Sequence, residues 1–294
     1  MKKILVSILI PNYNKSPFLS ETLDSILAQT YSHWECVIVD DHSTDESWEI
    51  LKEYAKKDDR FKIHKRPERL TKGGNVCRNY AFELSKGKFV NWFDSDDLMK
   101  SNFIERKVNL LENKDVDAVV SKMTMFSSDI QNPIYKEWIP PFFDLKEDYL
   151  LKNIQFTTPG PMFRRDFLIE KELFFESLKI GQDTEFFYRL VLKGLKVVVV
   201  DSVLAYCRVS DNSVLASFRT KRNTVDAHYQ TFLMIKNLIK TKDIPPSLNN
   251  FIKIKMVYFF KLLLKEKKII MIFDWVYVLI LFFVYKRNER FSDN

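Results

Sequence analysis

The sequence is short of the residues that build metal knots, redox centres and extracellular staples. Its three cysteines, Cys36, Cys77 and Cys207, are odd in number and lack CxxC spacing. That excludes a disulfide framework or zinc ribbon and reads as core thiols in a reducing compartment. The four histidines, His33, His42, His64 and His228, are scattered, and no HExxH pair occurs, so nothing points to a zinc site. Neither the GxxxxGKS spacing of a P-loop nor the GxGxxG of a dinucleotide fold is present. Internal repeats and low-complexity tracts are absent. No small-residue cleavage site follows the lysine-led start MKKILVSILI, which reads as a first strand stopped by Pro11-Asn12, not as a leader.

What is present is a chain of 294 residues with 46% hydrophobic composition, enough for one large domain or one domain with an appendage. The net charge of +7 is unevenly placed: residues 251–294 hold nine Lys/Arg against four acids. No nucleic-acid partner is expected.

Ile4–Ile10 is a β-branched apolar run, followed by Ser16-Pro17 and by Leu19, Leu23, Ile26 and Leu27 at helical spacing. Trp34–Val39 ends in Asp40-Asp41, and Ser43-Thr44-Asp45-Glu46 has the form of a capping box for the next helix. Phe61–Lys65 leads to Gly73-Gly74 and a third helix, after which Phe89–Phe93 runs into Asp94-Ser95-Asp96-Asp97. This alternation predicts a parallel sheet, in which ligands bind beyond the carboxyl ends of the strands. Asn12, Asp40-Asp41 and the acidic turn all fall at such ends. Lys196–Val200 and Ala205–Val209 read as further strands, and the chain from about Phe218 as helical.

Several groups carry chemistry. Asp94 and Asp96 on a tight turn suit a hard divalent cation shared with phosphates, although one of these acids can instead cap the helix near Ser101-Asn102. Asp40 and Asp41 can accept from a ribose hydroxyl or a base N–H, or serve as caps, and Tyr13 can stack beside them. Gly73-Gly74-Asn75 with Arg78 one turn on is a weak phosphate cradle. Asp183, at the start of the helix in GQDTEFFYRL, is a cap or a general base.

Taken together, VSILIPNYN (6–14), VIVDDHSTDES (37–47), GGNVCRNYA (73–81), FDSDDL (93–98), TPGPMFRRD (158–166) and GQDTEFFYRL (181–190) resemble glycosyltransferase family 2, over about residues 4–210. The resemblance implies an α/β GT-A fold: a Rossmann-like, mostly parallel sheet flanked by helices, here carrying a C-terminal helical appendage. It implies an inverting enzyme that moves a sugar from a nucleotide diphosphate, UDP favoured, to an acceptor hydroxyl. Pro11, Tyr13, Asp40, Asp41, Arg78, Asp94 and Ser95 would bind the nucleotide sugar. Asp96 and Asp94 would hold manganese or magnesium, with Asp97 flanking, and Asp183 would be the catalytic base. Two departures stand out: Gln182 replaces the family's usual glutamate, and Ser210 stands where many relatives have histidine, so no metal role passes to Ser210.

The chain is accordingly expected to divide into a transferase domain, 1–215, and a basic, apolar helical region, 216–294. Ile269–Tyr285 is 17 residues long, short of the roughly 20 that span a bilayer, and Asp274 interrupts it. Helices lying on the cytoplasmic face of the plasma membrane are therefore expected, with a packing or homodimer face as the first alternative and a single tilted spanning helix as the last. A glycan or lipid-linked oligosaccharide acceptor, in surface polysaccharide synthesis, fits that location. The segments from Ser127 to Pro161 and beyond Ser210 are expected to shape the acceptor site. Two rival readings are a metal-dependent nucleotidyltransferase and a nucleotide-sugar-binding or membrane-surface scaffold without turnover.

Overall fold

The computed structural model describes residues 3–131, 133–134, 145–150, 153–178, 181–209, 225–241 and 249–292. Strands β1 (Val6–Asn12), β2 (Trp34–Asp40), β3 (Phe61–Lys65) and β4 (Phe89–Trp92) are connected by α1 (Ser16–Leu27), α2 (Ser47–Lys57) and α3 (Gly74–Leu84). They lie side by side as β3-β2-β1-β4, all parallel. This is the arrangement that short β-branched runs separated by amphipathic helices dictate. β1 is flanked on both sides, and Val6 to Ile10 have no exposed surface.

Beyond β4 the sheet becomes mixed. The elements are β5 (Leu98–Met99), α4 (Phe103–Asn113), β6 (Ala118–Phe126), α5 (Leu145–Leu150), β7 (Pro161–Arg164), α6 (Arg165–Leu168), α7 (Gln182–Leu192) and β8 (Val197–Arg208). The full order is β3-β2-β1-β4-β7-β6-β8-β5. β7 is antiparallel to both neighbours, and β5 is antiparallel to β8. The two strands expected between 196 and 209 are one, with register shifts against β6 around Lys122. A bulge there absorbs the polar pair Asp201-Ser202, and Lys122 meets Asp201 at 2.6 Å.

Side chains alternate across the sheet and feed two cores. Ile8 and Ile10 join Leu19, Leu23 and Phe103 on one face, whereas Leu9 joins Cys77, Trp92, Phe186 and Phe187 on the other. Helices α8 (Val225–Thr241), α9 (Asn249–Lys265) and α10 (Ile269–Ser292) add Phe232, Ile252, Met256, Phe259, Val278 and Phe282 to that second core. Asp274 turns inward to an ion pair with Lys236, 2.6 Å away, and the neighbouring Trp275 stacks on Phe260 with ring centroids 4.3 Å apart. Among the described residues no helix is long and apolar enough to cross a membrane. The 215/216 division falls outside the described residues.

Gly87, just before β4, lies close against Ser7 of β1. Its N–H donates to Ser7 Oγ at 2.7 Å, and that hydroxyl donates to Glu35 Oε1 at 2.6 Å. A Cβ on Gly87 would lie 2.5 Å from the Ser7 backbone nitrogen. Gly87→Ala must therefore push β4 away from β1. The expected cost is about 1–3 kcal/mol, read as a lowered midpoint in urea denaturation.

Candidate functional site

The carboxyl ends of β1, β2 and β4 open onto one surface, and the acids predicted from the sequence collect there. After Trp92 the chain turns through Asp94 to Asp97, with Asp97 N–H reaching Asp94 O at 3.3 Å. None of these acids caps α4, whose N-cap is Asn102 without a side-chain bond. Each is engaged elsewhere. Asp94 Oδ1 accepts from Arg78 at 2.8 Å, and its Oδ2 accepts from Thr158 Oγ1 at 3.1 Å. Asp96 Oδ2 meets Lys15 Nζ at 2.5 Å. Asp97 Oδ1 accepts the Arg208 backbone N–H at 2.8 Å, and the Arg208 guanidinium donates to the Asp96 carbonyl at 3.0 Å and to Glu21 at 2.7 Å. Ser95 is buried beneath the turn.

Burial drives Asp96 and Asp97 upward in pKa. For Asp96 burial and Asp94 raise the value against the pull of Lys15, while for Asp97 burial, Asp96 and Asp94 push it well above the carboxylate range. Burial works against the charge on Arg78, yet Asp94 and Asp183 outweigh it and hold the guanidinium above its ordinary value.

Asp183 approaches from the other side. Gly181 adopts the left-handed region, φ 72°, and starts α7. One turn on from Asp183, Phe186 packs on Trp92 and Phe174 at centroid distances of 5.4 and 4.3 Å. Residues three apart share a helix face, so the aromatic anchor aims Asp183 at the end of β4. Thr158 donates its N–H to Asp183 Oδ2 at 3.0 Å, and its hydroxyl lies 3.3 Å from the same oxygen. Asp94 and Asp183 therefore share one threonine. Burial raises the Asp183 pKa; Arg78 and the Thr158 donors oppose the shift and Asp94 adds to it.

On the β1 and β2 side the sequence reading needs revision in one respect. Helix α2 begins at Ser47 with Glu46 as its N-cap, so Ser43 does not cap it. The Ser43 hydroxyl donates to Asp40 Oδ2 at 2.6 Å and accepts the Asn14 N–H at 2.9 Å, tying the β1 and β2 turns together. Asp45 and Ser47 do the same for the backbone of Ser16 and Lys15. Asp40 has no exposed surface: its oxygens accept from Ser43 N and Oγ and from Asn12 Nδ2. Asp41, 4% exposed, pairs with Arg66. Tyr13 is 41% exposed and carries the Lys72 ammonium 3.9 Å from its ring centre, and Pro11 lies in β1 beside it. Gly73 precedes α3, whose Arg78 faces the acid turn. Ser210 lies outside the described residues, as does most of the segment between Gln131 and Leu145.

The structure adds residues to which the sequence reading gave no role: Lys15, Arg66, Lys72, Thr158, Arg208 and Lys107. Lys107 has no exposed surface, and its ammonium donates to Gly160 O at 2.5 Å, Pro159 O at 3.3 Å and Asn91 Oδ1 at 3.3 Å. It holds the turn that carries Thr158 against β4, and burial drives its pKa well down.

Among the described residues no group of three or more His, Cys, Asp or Glu side chains forms a metal cage. Asp94 and Asp96 nevertheless suit a magnesium- or manganese-like ion, which needs only one or two carboxylates alongside water and substrate phosphates.

A sheet of this order, with acids and an arginine gathered at its strand ends and the Asp183 carboxylate facing them, has the GT-A architecture. The chain belongs to glycosyl transferase family 2, whose profile matches residues 7–173. It is 30% identical over 212 residues to the putative teichuronic acid biosynthesis glycosyltransferase TuaG of Bacillus subtilis, covering 72% of this chain and 82% of that protein. Its fold matches S. aureus TarS 1-349 in complex with UDP-GlcNAc, with a TM-score of 0.65, 21% identity and coverage of 88% and 72%. A mannosyltransferase from Pyrobaculum calidifontis in complex with GDP-Man and Mn2+ matches with a TM-score of 0.59, 18% identity and coverage of 86% and 69%.

Lys107→Met would take the donor from Asn91 Oδ1 and one donor each from the Pro159 and Gly160 carbonyls, which keep only the longer bonds from Asn91 Nδ2 and the Ser121 N–H. It is expected to lower stability by about 1–3 kcal/mol, measured by urea unfolding.

Proposed function

We propose that this protein is an inverting, hexosyltransferase-type enzyme that moves a sugar from a nucleotide diphosphate donor, UDP-linked, to an acceptor hydroxyl in bacterial surface polysaccharide synthesis. The observation that carries the reading is Thr158 spanning Asp94 and Asp183. It sets a partly exposed carboxylate across from the acid and arginine cluster. Asp183 takes the acceptor proton, and Arg78 faces the negative charge that builds on the departing diphosphate. Asp96 and Asp94 would hold a manganese or magnesium ion, which would supply further charge neutralisation to the diphosphate. The Mn2+ in the Pyrobaculum complex supports this choice. Tyr13 stacks with the nucleoside, Asp41 accepts from it with Pro11 and Ser95 shaping the pocket, and Asp40 braces Asn12 and Ser43 from behind. TuaG, named for teichuronic acid biosynthesis, and the UDP-GlcNAc of the TarS complex support the substrate class.

Residues 1–215 carry the chemistry and 216–294 the location. On α9 and α10, Ile254, Ile269, Ile270 and Phe273 are between 65% and 86% exposed, amid exposed Lys253, Lys261, Lys265, Lys267 and Lys268. Apolar side chains ringed by lysines suit the anionic cytoplasmic face of a plasma membrane, where a lipid-linked oligosaccharide acceptor resides.

Turnover is tested by screening nucleotide sugars with and without Mn2+ for nucleoside diphosphate release. Asp183→Asn should lower kcat by about 10²–10⁴-fold while nucleotide binding persists; unchanged kcat would remove Asp183 as base. Because the base acts deprotonated and its pKa is raised, kcat should fall at a higher pH than for an ordinary carboxylate. Thr158→Val, which deletes a donor that favours the charged form, should move that fall to still higher pH. For the membrane, the full chain should sediment with phosphatidylglycerol vesicles and not with phosphatidylcholine vesicles. The double variant Ile270→Glu, Phe273→Glu should stay in the supernatant, and equal sedimentation of both proteins would discard the membrane assignment.

A further inference from the structure

Lys15 sits where the charge balance of the acid turn is decided. Its backbone is fixed at the start of α1: the N–H donates to Ser47 Oγ at 2.9 Å, and the carbonyl accepts from Phe18 and Leu19, both at 2.9 Å. From this anchor the side chain crosses to the turn after β4 and meets Asp96 Oδ2 at 2.5 Å. The Lys15 side chain keeps 27% of its surface against 13% for Asp96, so the lysine is the partner with room to move. Arg78 and Arg208, by contrast, are held by further contacts to Asn75 and Glu21.

We propose that Lys15 is an internal counter-cation that occupies Asp96 before ligands bind and transfers to the donor's diphosphate as a divalent ion takes its place. The inference rests on the reading of Asp96 as a metal ligand. An ammonium at contact distance from a carboxylate oxygen and a divalent ion on that carboxylate repel each other, so the ion binds only as Lys15 leaves. With metal alone, the departing lysine loses a buried partner and gains none. With a nucleoside diphosphate present it exchanges one anion for another. Metal and nucleotide therefore tighten each other's binding beyond their direct contact, and the coupling is reciprocal.

The test is Mn2+ binding to the full chain, followed by the electron paramagnetic resonance signal of the free ion, with and without UDP. Lys15→Met should bind Mn2+ alone about fivefold or more tighter than the unaltered protein, and UDP should enhance its Mn2+ affinity by a smaller factor. Lys15→Arg, which keeps the charge, should behave like the unaltered protein and separates loss of charge from loss of fold. Equal or weaker Mn2+ affinity in a folded Lys15→Met, or an undiminished UDP enhancement, would overturn the inference and leave the metal reading standing. Absence of Mn2+ binding to all three proteins, with or without UDP, would overturn both.

Discussion

The structure is organised around the problem of holding acids close together away from bulk water. Asp40, Asp41, Asp94, Asp96, Asp97 and Asp183 gather at one edge of the sheet, and the first two with Asp96 and Asp97 are at least nine-tenths buried. Two like charges 4 Å apart at a protein surface repel by about 4 kcal/mol, so such a cluster exists only if each acid is met by a donor. The donors come from separate parts of the chain: Lys15 before α1, Arg66 after β3, Arg78 on α3, Thr158 before β7 and Arg208 at the end of β8. Charge compensation is thus also the fastening that draws these elements to one place.

The turns around the cluster are fixed by hydrogen bonds more than by packing. Asn14 and His42 both have left-handed backbones, and each is pinned, Asn14 by its side chain to the Thr44 N–H and His42 by its ring to the Arg66 carbonyl. Lys107 plays the matching part beneath the Thr157–Gly160 turn. The hydroxyls and amides that look like ligand groups in VDDHSTDES are mostly consumed in joining loops. Among the residues of the proposed site, Pro11, Tyr13, Arg78, Asp94 and Asp183 keep solvent-facing surface, whereas Asp40, Asp41 and Ser95 are buried.

Strands β1, β2 and β4 were legible in the sequence because each is a short apolar run buried along almost all of its length and followed by polar residues. The edge strand β3, with Lys62 and Lys65 exposed, was legible from its place between two helical stretches. The acid turn and Asp183 were legible for the same reason, since position at a strand end or helix start is a local property. Ser43 misled because Ser-x-x-Glu is also what a capping box looks like, and only the tertiary partner Asn14 shows otherwise. β8 read as two strands because Asp201 and Ser202 interrupt its apolar run, and a bulge hides that interruption. Lys15, Thr158 and Arg208 act on partners 81, 64 and 112 positions away, which no window of sequence contains. Lys107 did leave a trace: it shares a helix face with Phe103 and Leu111, both fully buried, and a lysine on such a stripe must carry acceptors with it.

The antiparallel pairing of β5 with β8, together with Arg208, closes the acid turn with residues drawn from about two-thirds of the way along the chain. During synthesis from the amino end, the parallel strands β1 to β4 can pair before β8 exists, but the turn they support has no partner for Asp97 and no clamp on the Asp96 carbonyl until Arg208 emerges. Non-local closure of this kind comes late in folding. A nascent chain thus acquires its sheet first and its competence for chemistry afterwards, so a truncated product is a fold without a working centre.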